Sequence, residues 1–387
     1  MKKLAIITTH PIQYYAPVFK LLHQRGNISI MVFYTWGQEA ESKFDPGFGK
    51  SVSWDIPLLD GYTYTWVKNT AEEPGSNHFR GIVNPDLIKQ LSEWQPDAIL
   101  VYGWAYQSHL KVLQYFANKI PVYFRGDSTL LDEPRGIKGI LKYIFLRWVY
   151  KHVNHAFYVG TNNKAYYKKY GLKDEQLSFA PHAIDNERFK AERNEEANEL
   201  RLSLNLKAED ILVLYAGKFE PIKNVELLVS AFVKLNKPGV HLLLVGNGIK
   251  EPLLKSLASN SKTANNIHFL DFKNQSYMPT LYQAADLYCL PSLSETWGLA
   301  VNEAMACDRA VLVSDMVGCA VDLVKEKCNG AVFKSESIDA LVSCLDELTH
   351  SKNITEAYGK HSASIIKDWN FLKIVEAIEN KLMDMQK

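Results

Sequence analysis

Short, continuously apolar runs recur along the chain, and longer segments with apolar residues at helical spacing separate them. Runs of this kind are typical of parallel strands that are covered on both faces. They lie at residues 4–9, 28–35, 98–102, 122–124, 156–159, 177–180, 211–216, 242–245, 267–269, 287–290, 310–313 and 331–333. Because these runs alternate with helical patterns throughout, the sequence predicts an α/β protein built from two doubly wound domains.

The alternation is interrupted near residues 182–190, where a charged segment poor in apolar residues follows the run at 177–180. We therefore predict a first domain over residues 1–186 and a second over residues 187–368. The remaining residues, 369–387, begin with the apolar spacing of an amphipathic helix. Ligands of doubly wound sheets bind beyond the carboxyl ends of the strands, so two such domains side by side predict a cleft that holds the ligand.

Composition and charge narrow the class of protein. The chain has 387 residues, with 44 Lys and Arg against 43 Asp and Glu, and this near balance gives no reason to expect nucleic acid as a partner. Its five cysteines include no CxxC pair, which favours a reducing cytosol over a disulfide framework or a metal site. Thr8 and Thr9 interrupt the first apolar run too early for a signal peptide, and no run of about 18 apolar residues predicts a membrane span.

The segment from Glu295 to Glu303 holds the most informative chemistry in the chain. It follows the apolar run at 287–290 and leads into a helical pattern, which places backbone N–H groups where they bind anions. The two carboxylates repel a phosphate but accept hydrogen bonds from hydroxyls, so amides and acids together suit a nucleotide-sugar. Each acid also has a structural explanation, because Glu303 near a helix start favours the helix dipole and Glu295 fits a solvated loop.

A loop with two lysines, Lys218 and Lys223, follows the run at 211–216 and precedes another helical pattern. Two cations beside free amides would neutralise a diphosphate without a metal ion, although lysines in surface loops are often only solvated.

Two glycines, Gly246 and Gly248, end the run at 242–245 and let the backbone approach a ligand closely. Glu251 occupies the third glycine position of a dinucleotide fingerprint, so a nicotinamide dehydrogenase is the least favoured function. Phe272, just beyond the run at 267–269, is a candidate to lie against a nucleobase or in the core.

In the first predicted domain, two loops should face the cleft. His10 and Gln13 lie in the loop after the first apolar run, and Arg125 and Asp127 lie after the run at 122–124. The Arg and the Asp beside a glycine indicate polar contacts to a ligand, or else a local ion pair or an Asp helix cap.

Residues 135–152 are both basic and aromatic, and two interpretations stay open. The segment is either a crossover helix with a buried apolar face or a helix that rests on an anionic membrane. Its basic and aromatic residues are Lys138, Lys142, Arg147, Lys151, Tyr143, Phe145, Trp148 and Tyr150, with Ile140, Leu141, Ile144, Leu146 and Val149 between them.

Residues 211–335 resemble the nucleotide-sugar domain of retaining glycosyltransferase family 4, whose GT-B fold has two Rossmann-like domains facing each other. The matching pieces, in family order, are Gly217-Lys218 with Lys223, Leu244-Val245-Gly246-Asn247-Gly248, Tyr282-Gln283-Ala284-Ala285-Asp286-Leu287, Pro291-Ser292 with Glu295 and Glu303, and Asn329-Gly330. The first half resembles the family more loosely, through Phe179-Ala180-Pro181-His182-Ala183-Ile184-Asp185. Arg125-Gly126-Asp127 stands where many members carry a histidine.

The resemblance implies a role for each matching residue. Lys218 and Lys223 would stabilise the leaving diphosphate, Glu295 would bind donor-sugar hydroxyls, and Glu303 would bind the ribose. Further donor contacts would come from Gly217, Asn247, Phe272, Trp297, Gly298 and Leu299. It also implies that no metal ion or other cofactor is needed, that the anomeric configuration is retained, and that the terminal helix crosses back onto the first domain.

The leading hypothesis is transfer of a hexose or HexNAc, with uridine diphosphate favoured as the carrier, to a glycan or lipid-linked acceptor. We expect such an enzyme in the cytoplasm, at or near the inner face of the membrane, in cell-surface polysaccharide synthesis. A nucleotide-sugar epimerase or hydrolase, or a non-catalytic nucleotide-sugar binder on the same scaffold, is the alternative.

Overall fold

A computed structural model describes residues 1–37, 43–45 and 50–384, with side chains for residues 1–37 and 53–384. Its β-strands, numbered in chain order, are β1 Lys3–Thr8, β2 Ser29–Tyr34, β3 Lys43–Asp45, β4 Lys50–Val52, β5 Tyr64–Trp66, β6 Ala98–Tyr102, β7 Val122–Arg125, β8 His155–Tyr158, β9 Leu177–Phe179, β10 Ile211–Ala216, β11 Val240–Val245, β12 Ile267–Leu270, β13 Leu287–Leu290, β14 Ala310–Ser314 and β15 Gly330–Phe333.

Helices connect most of these strands. They are α1 Ala16–Arg25, α2 Leu87–Trp94, α3 Gln107–Phe116, α4 Ile137–Tyr150, α5 Thr161–Lys169, α6 Asn186–Lys190, α7 Asn194–Ser203, α8 Val225–Leu235, α9 Glu251–Ser259, α10 Met278–Ala284, α11 Leu299–Ala306, α12 Ala320–Leu323, α13 Ile338–Leu348, α14 Lys352–Ile366 and α15 Phe371–Met383. Single 3₁₀ turns lie at Phe79–Gly81, Asp174–Gln176, Pro221–Lys223 and Ala264–Asn266.

Apart from β3 and β4, the strands form two parallel sheets with the same order of connections, and the first sheet has one further edge strand. One sheet has the order β5-β2-β1-β6-β7-β8-β9, and the other has the order β12-β11-β10-β13-β14-β15. In each, the chain moves outward from a central strand, then returns to that strand's other side. The reversal creates a switch point between β1 and β6 in one sheet and between β10 and β13 in the other, and such points are where doubly wound sheets bind ligands.

The chain divides into two compact units. The first unit comprises residues 1–41, 57–182 and 370–387, and the second comprises residues 42–56 and 183–369. The sequence placed the corresponding boundaries at 186/187 and 368/369.

Residues 42–56 join the second unit, which the sequence did not suggest. The side-chain amide of Asn274 donates to the carbonyl of Ser53 at 2.6 Å, and the backbone N–H of Ser276 donates to the carboxylate of Asp55.

The terminal helix α15 belongs to the first unit, where it packs against α1. Ile374, Val375 and Ile378 are buried, and Glu379 accepts hydrogen bonds from the guanidinium of Arg25 at 3.0–3.1 Å. The last three residues of the predicted terminal segment, 385–387, lie outside the described residues.

The prediction of two doubly wound α/β units is confirmed. Each of the twelve predicted runs is a strand, with ends within two residues of those expected. The sequence missed β5, a short edge strand that is aromatic and half-exposed, and the antiparallel hairpin β3–β4. Neither has the continuous apolar run that is typical of a strand buried on both faces.

Candidate functional site

Two loops meet at the switch point of the second unit. The loop after β10 carries Lys223 on a 3₁₀ turn, and the loop after β13 carries Glu295. The Lys223 ammonium forms an ion pair with Glu295 Oε2, and both side chains are partly buried. A backbone hydrogen bond of 2.8 Å from Leu293 to Ile222 ties the loops together beside the pair. The structure thus brings together two of the residues that the sequence predicted for the site.

The turn around Glu295 is fixed by its backbone. Its N–H donates to the carbonyl of Met316 at 3.1 Å, and its carbonyl accepts from the N–H of Gly318 at 2.9 Å. A Cβ atom at Gly318 would lie 1.9 Å from the carbonyl oxygen of Thr296, so only glycine fits this approach. The carboxylate of Glu295 is therefore presented by a turn that has little freedom to move.

Glu303 lies in the interior of α11. It is the fifth residue of that helix and only 3% exposed. A favourable interaction with the helix start therefore does not explain why an acid occupies this position. The hydroxyl of Tyr282 donates to Glu303 Oε2 at 2.8 Å and orients the carboxylate. Gly298, in the left-handed region at φ +95°, leads directly into Leu299 at the start of α11, so the backbone amides expected to meet the donor lie at this helix start.

Asn247 braces three loops at the same sheet edge. Its carbonyl accepts from the N–H of Phe219 at 2.9 Å, and its side-chain oxygen accepts from the N–H of Phe272 at 3.0 Å. Its side-chain amide also donates to Asp271 at 3.1 Å. Phe272 is half-buried in the loop that follows β12. The loops after β10, β11 and β12 therefore form one connected wall.

Glycines allow the loops of this wall to pack closely against each other. A Cβ atom at Gly246 would lie 2.0 Å from the carbonyl oxygen of Gly217, so the loops after β10 and β11 touch backbone to backbone. Lys218 follows Gly217 directly, and its carbonyl accepts a hydrogen bond of 2.8 Å from the hydroxyl of Tyr215.

The indole of Trp297 is buried beneath the Glu295 turn. Its Nε1–H donates to the side-chain oxygen of Asn302 at 2.9 Å, and its ring lies 5.1 Å from that of Trp369. The side chain therefore packs in the core of the second unit, where it supports the turn that presents Glu295.

Each polar residue of the motif at 282–286 makes hydrogen bonds that give it a structural role of its own. Tyr282 orients Glu303. Gln283 donates to the carbonyls of Phe189 and Ala191. Asp286 accepts from Arg201 at 3.0 Å and from the backbone N–H of Leu212, at the start of β10. This motif therefore secures the sheet and one candidate site carboxylate together.

In the first unit, His10 and Gln13 lie in the loop between β1 and α1. The Thr9 hydroxyl and His10 Nδ1 are 2.9 Å apart, and the His10 ring contacts Trp36 edge to face. Gln13 is half-buried. Both residues therefore lie at the carboxyl edge of the first sheet, beside its switch point.

Arg125 is the last residue of β7 and Asp127 lies just beyond it at that edge, but the two differ in setting. Arg125 is 3% exposed, and its guanidinium donates to the carbonyls of Ala180 and Pro181 at 2.7 and 2.9 Å. It thus fixes the chain after β9. Asp127 is more exposed, and its carboxylate lies 3.9 Å from His182 Nε2.

His182 is a candidate that the sequence analysis did not single out, although the segment 179–185 contains it. Its ring is buried and lies against Tyr15 at a centroid distance of 6.3 Å. Burial lowers the pKa of His182 to about 4, while the nearby Asp127 opposes that change. The imidazole is therefore neutral near pH 7 and serves as a donor or acceptor.

The structure describes residues 1–37, 43–45 and 50–384. This part of the chain contains no cluster of three or more His, Cys, Asp or Glu side chains placed to hold a metal ion. Within the same residues, no helix has the length and apolarity needed to cross a bilayer. The five cysteines form no disulfide.

Residues 196–364 match the family model for glycosyl transferases group 1. The matched segment, called the group 1 segment below, is similar to that family. The group 1 segment lies within the second unit and includes Lys218, Lys223, Glu295 and Glu303.

A curated relative of the group 1 segment is D-inositol 3-phosphate glycosyltransferase from Mycobacteroides abscessus, which is 33% identical over 170 residues. That match covers 42% of this chain and 38% of the relative, so the chain spans about two fifths of the curated relatives' length.

Solved structures match the whole chain in fold. The Anabaena protein HepE in complex with UDP and glucose has a TM-score of 0.73 at 17% identity, covering 99% of this chain and 100% of HepE. WaaG, a glycosyltransferase involved in lipopolysaccharide biosynthesis, has a TM-score of 0.68 at 15% identity and covers 98% of this chain and 99% of WaaG. Both units are thus Rossmann-like, as in GT-B glycosyltransferases.

Proposed function

We propose that this protein transfers a hexose or HexNAc from a uridine diphosphate sugar to a glycan or lipid-linked acceptor. The observation that carries the proposal is the meeting of Lys223 and Glu295 at the switch point of a group 1 domain. A cation and a carboxylate held on neighbouring loops match the two ends of a sugar diphosphate, one anionic and one rich in hydroxyls.

The lysines would act on the leaving group. When the bond between sugar and diphosphate breaks, negative charge grows on the phosphate oxygens, and cations already in place stabilise it most. Lys223 is partly buried, which strengthens its interaction with a phosphate relative to bulk water. Glu295 holds the ammonium in position before the donor binds, and its other carboxylate oxygen would accept from a sugar hydroxyl.

Glu303 would bind the ribose. Its carboxylate is buried and is oriented by the Tyr282 hydroxyl, so it is pre-organised to accept hydrogen bonds from a pair of hydroxyls. Phe272 and the wall built around Asn247 would border the base.

The comparisons support a nucleotide-sugar donor. HepE, whose fold covers this chain, binds UDP and glucose, and the curated relatives of the group 1 segment are glycosyltransferases. We extend the proposal to retention of configuration, with the leaving phosphate assisting attack on the same face of the sugar, and to catalysis without a metal ion. WaaG acts in lipopolysaccharide biosynthesis, which supports a role in cell-surface polysaccharide synthesis.

The test is a thermal-shift panel of nucleoside diphosphates and their sugars, run with and without EDTA. A ligand that binds the folded state raises the melting temperature by mass action. We expect the largest shift with a uridine diphosphate sugar, no effect of EDTA on that shift, and a reduced shift in Glu303→Ala.

Product analysis then separates the reaction classes. Incubation of the selected donor with an acceptor panel should give a new glycoside whose anomeric configuration, read by NMR, matches that of the donor. Released sugar or an epimer without transfer would indicate the hydrolase or epimerase instead. Tight donor binding with no turnover on any acceptor would indicate a non-catalytic binder.

A further inference from the structure

Helix α4 turns a strongly apolar face toward solvent. Ile137, Leu141, Ile144 and Trp148 lie three or four residues apart, so they share one face of the helix, and their exposed fractions are 77, 62, 61 and 42%. We call these four residues the α4 ridge. Ile140 and Phe145 flank the ridge and are exposed to 61 and 39%.

The opposite face of α4 packs on the first unit. Leu146, Val149 and Tyr150 are its buried residues. The interpretation of this segment as a crossover helix with a buried apolar face therefore accounts for these three residues only. It is wrong for the ridge, which is exposed. Contiguous exposed apolar surface of this extent in a folded protein marks a surface that is covered by something else.

Cations border the ridge, and the helix carries no acid. Residues 137–151 contain Lys138, Lys142, Arg147 and Lys151 but no Asp or Glu. Lys142 is paired with Glu133 at 2.8 Å and shares that carboxylate with Lys169. Within the described part of the chain, Lys138, Arg147 and Lys151 form no ion pair. Three cations thus remain available around the apolar face.

A pocket of about 440 Å³ lies at the carboxyl end of the ridge. Arg147, Trp148, Lys151 and Tyr170 are among the residues that line it. A guanidinium and an ammonium beside two aromatic rings suit a phosphate group whose attached chain continues over apolar surface.

The ridge is held rigidly in place. Glu133 accepts hydrogen bonds from Lys142 on α4, from Lys169 on α5 and from the hydroxyl of Tyr170. Partial burial disfavours the ionised form of Glu133, but these three donors outweigh it and lower the pKa of Glu133 to about 2. The helix therefore loses little conformational freedom when its outer face is covered.

We propose that α4 docks this protein on a membrane of anionic phospholipid. The ridge enters the boundary between headgroups and acyl chains, Lys138 lies on lipid phosphates, and Arg147 with Lys151 binds a headgroup phosphate in the pocket. A second copy of the chain fits this face poorly, because it would bring two sets of unpaired cations together. The proposal concerns the first unit and does not depend on the donor site.

The test is co-sedimentation of the full chain with vesicles of phosphatidylcholine alone and of phosphatidylcholine mixed with phosphatidylglycerol. We expect binding at least tenfold tighter to the anionic vesicles, because each cation near such a surface contributes about fivefold in affinity. Added salt should weaken the binding, since it screens the charges.

Two double variants separate the contributions of the apolar and the charged residues. Ile144→Glu with Trp148→Glu should abolish binding to both kinds of vesicle, and Lys138→Glu with Lys151→Glu should remove the preference for anionic lipid. The matched control is Lys111→Glu with Tyr115→Glu on α3, where Tyr115 is exposed to 43%, and it should bind as the unmodified protein does. All the substituted positions are exposed, and melting curves check that each variant folds.

Failure of the unmodified protein to bind anionic vesicles would overturn the proposal, as would equal binding to both kinds of vesicle. Sedimentation without lipid tests whether a second copy of the chain covers the ridge. If the protein formed a dimer that Ile144→Glu with Trp148→Glu dissociates, and if it bound no vesicles, the second copy would replace the membrane as the occupant of this face. Thermal shifts with nucleotide-sugars should be the same in all these variants. A loss of vesicle binding can therefore be distinguished from a loss of donor binding.

Discussion

Lys223 and Glu295 are 72 residues apart in the chain, and their side chains form an ion pair at the switch point of the second sheet. Their loops follow β10 and β13, which are neighbours in the sheet although two strands and three helices lie between them in sequence. The pair therefore exists because of the strand order. It holds the ammonium that would stabilise a leaving diphosphate.

Replacing Lys223 should lower turnover more than donor affinity. Loss of one preorganised group that stabilises developing charge costs about 10²- to 10³-fold in kcat. We expect a loss of this order in Lys223→Ala and partial recovery in Lys223→Arg, measured by steady-state kinetics with the donor varied. Lys234→Ala, which removes an exposed ion-paired lysine on α8, is the control and should leave both constants unchanged. A raised KM with an unchanged kcat would limit Lys223 to ground-state binding.

Glu303 and Tyr282 should act on the donor as one unit. A hydrogen bond to a charged group contributes about 1.5–3 kcal/mol, so Glu303→Ala should raise the donor KM about tenfold or more. Tyr282→Phe removes only the orienting hydroxyl and should give a smaller rise. On the Glu303→Ala background, Tyr282→Phe should have no further effect on KM, because the group that it orients is gone. Additive effects in this double-mutant cycle would mean that Tyr282 acts elsewhere.

The close contact of Gly246 with Gly217 predicts a specific loss of stability. A Cβ atom 2.0 Å from a carbonyl oxygen forces the backbone to move, which costs about 1–3 kcal/mol. Gly246→Ala should therefore lower the urea midpoint of unfolding and weaken the thermal shift by the donor. Gly239→Ala is the control in the same unit, because Gly239 also has a left-handed φ of +71° but its Cβ would meet only a side-chain atom at 3.3 Å. Equal losses in the two variants would show that φ strain alone is responsible.

Buried histidines in the first unit should make its stability fall in mild acid. Burial is the main cause that lowers the pKa values of His109, His155 and His182 to about 4. An unfolded histidine takes up its proton near pH 6.5, so the unfolded state binds more protons than the folded state between about pH 6.5 and 4. The stability is fully present above that window and decreases through it, by at most about 1.4 kcal/mol per pH unit for each residue.

Melting temperatures from pH 7.5 to 4.5 measure this effect. His109→Asn keeps a donor near the Nδ1 position, which contacts the carbonyls of Tyr102 and Gly103, and should show a shallower decrease. His23→Asn, at an exposed position, should follow the unmodified protein. An unchanged pH dependence in His109→Asn would exclude His109 as a source.

Several elements were predictable because their signals are local. A strand covered on both faces must be apolar at nearly every position, and the twelve predicted runs satisfied that condition. The three-residue strand β5 did not, since an edge strand needs only partial burial. Trp297 and Arg125 show the limit for side chains. A tryptophan or an arginine is equally suited to contact a ligand or to pack in the core. Only the structure places the indole of Trp297 beside Trp369 and the guanidinium of Arg125 on the carbonyls after β9.

The sequence by itself determined the class of fold, and it indicated two lysines, two glutamates and their loops as candidates for the site. This was possible because strand periodicity and loop composition are properties of neighbouring residues. The tertiary structure decided which of these residues meet. Strand order, which no local pattern encodes, joins Lys223 to Glu295, and helix packing buries Glu303 against Tyr282. It also decided the orientation of α4. That helix is apolar around most of its circumference, so only its packing on the first unit could select the face that stays exposed.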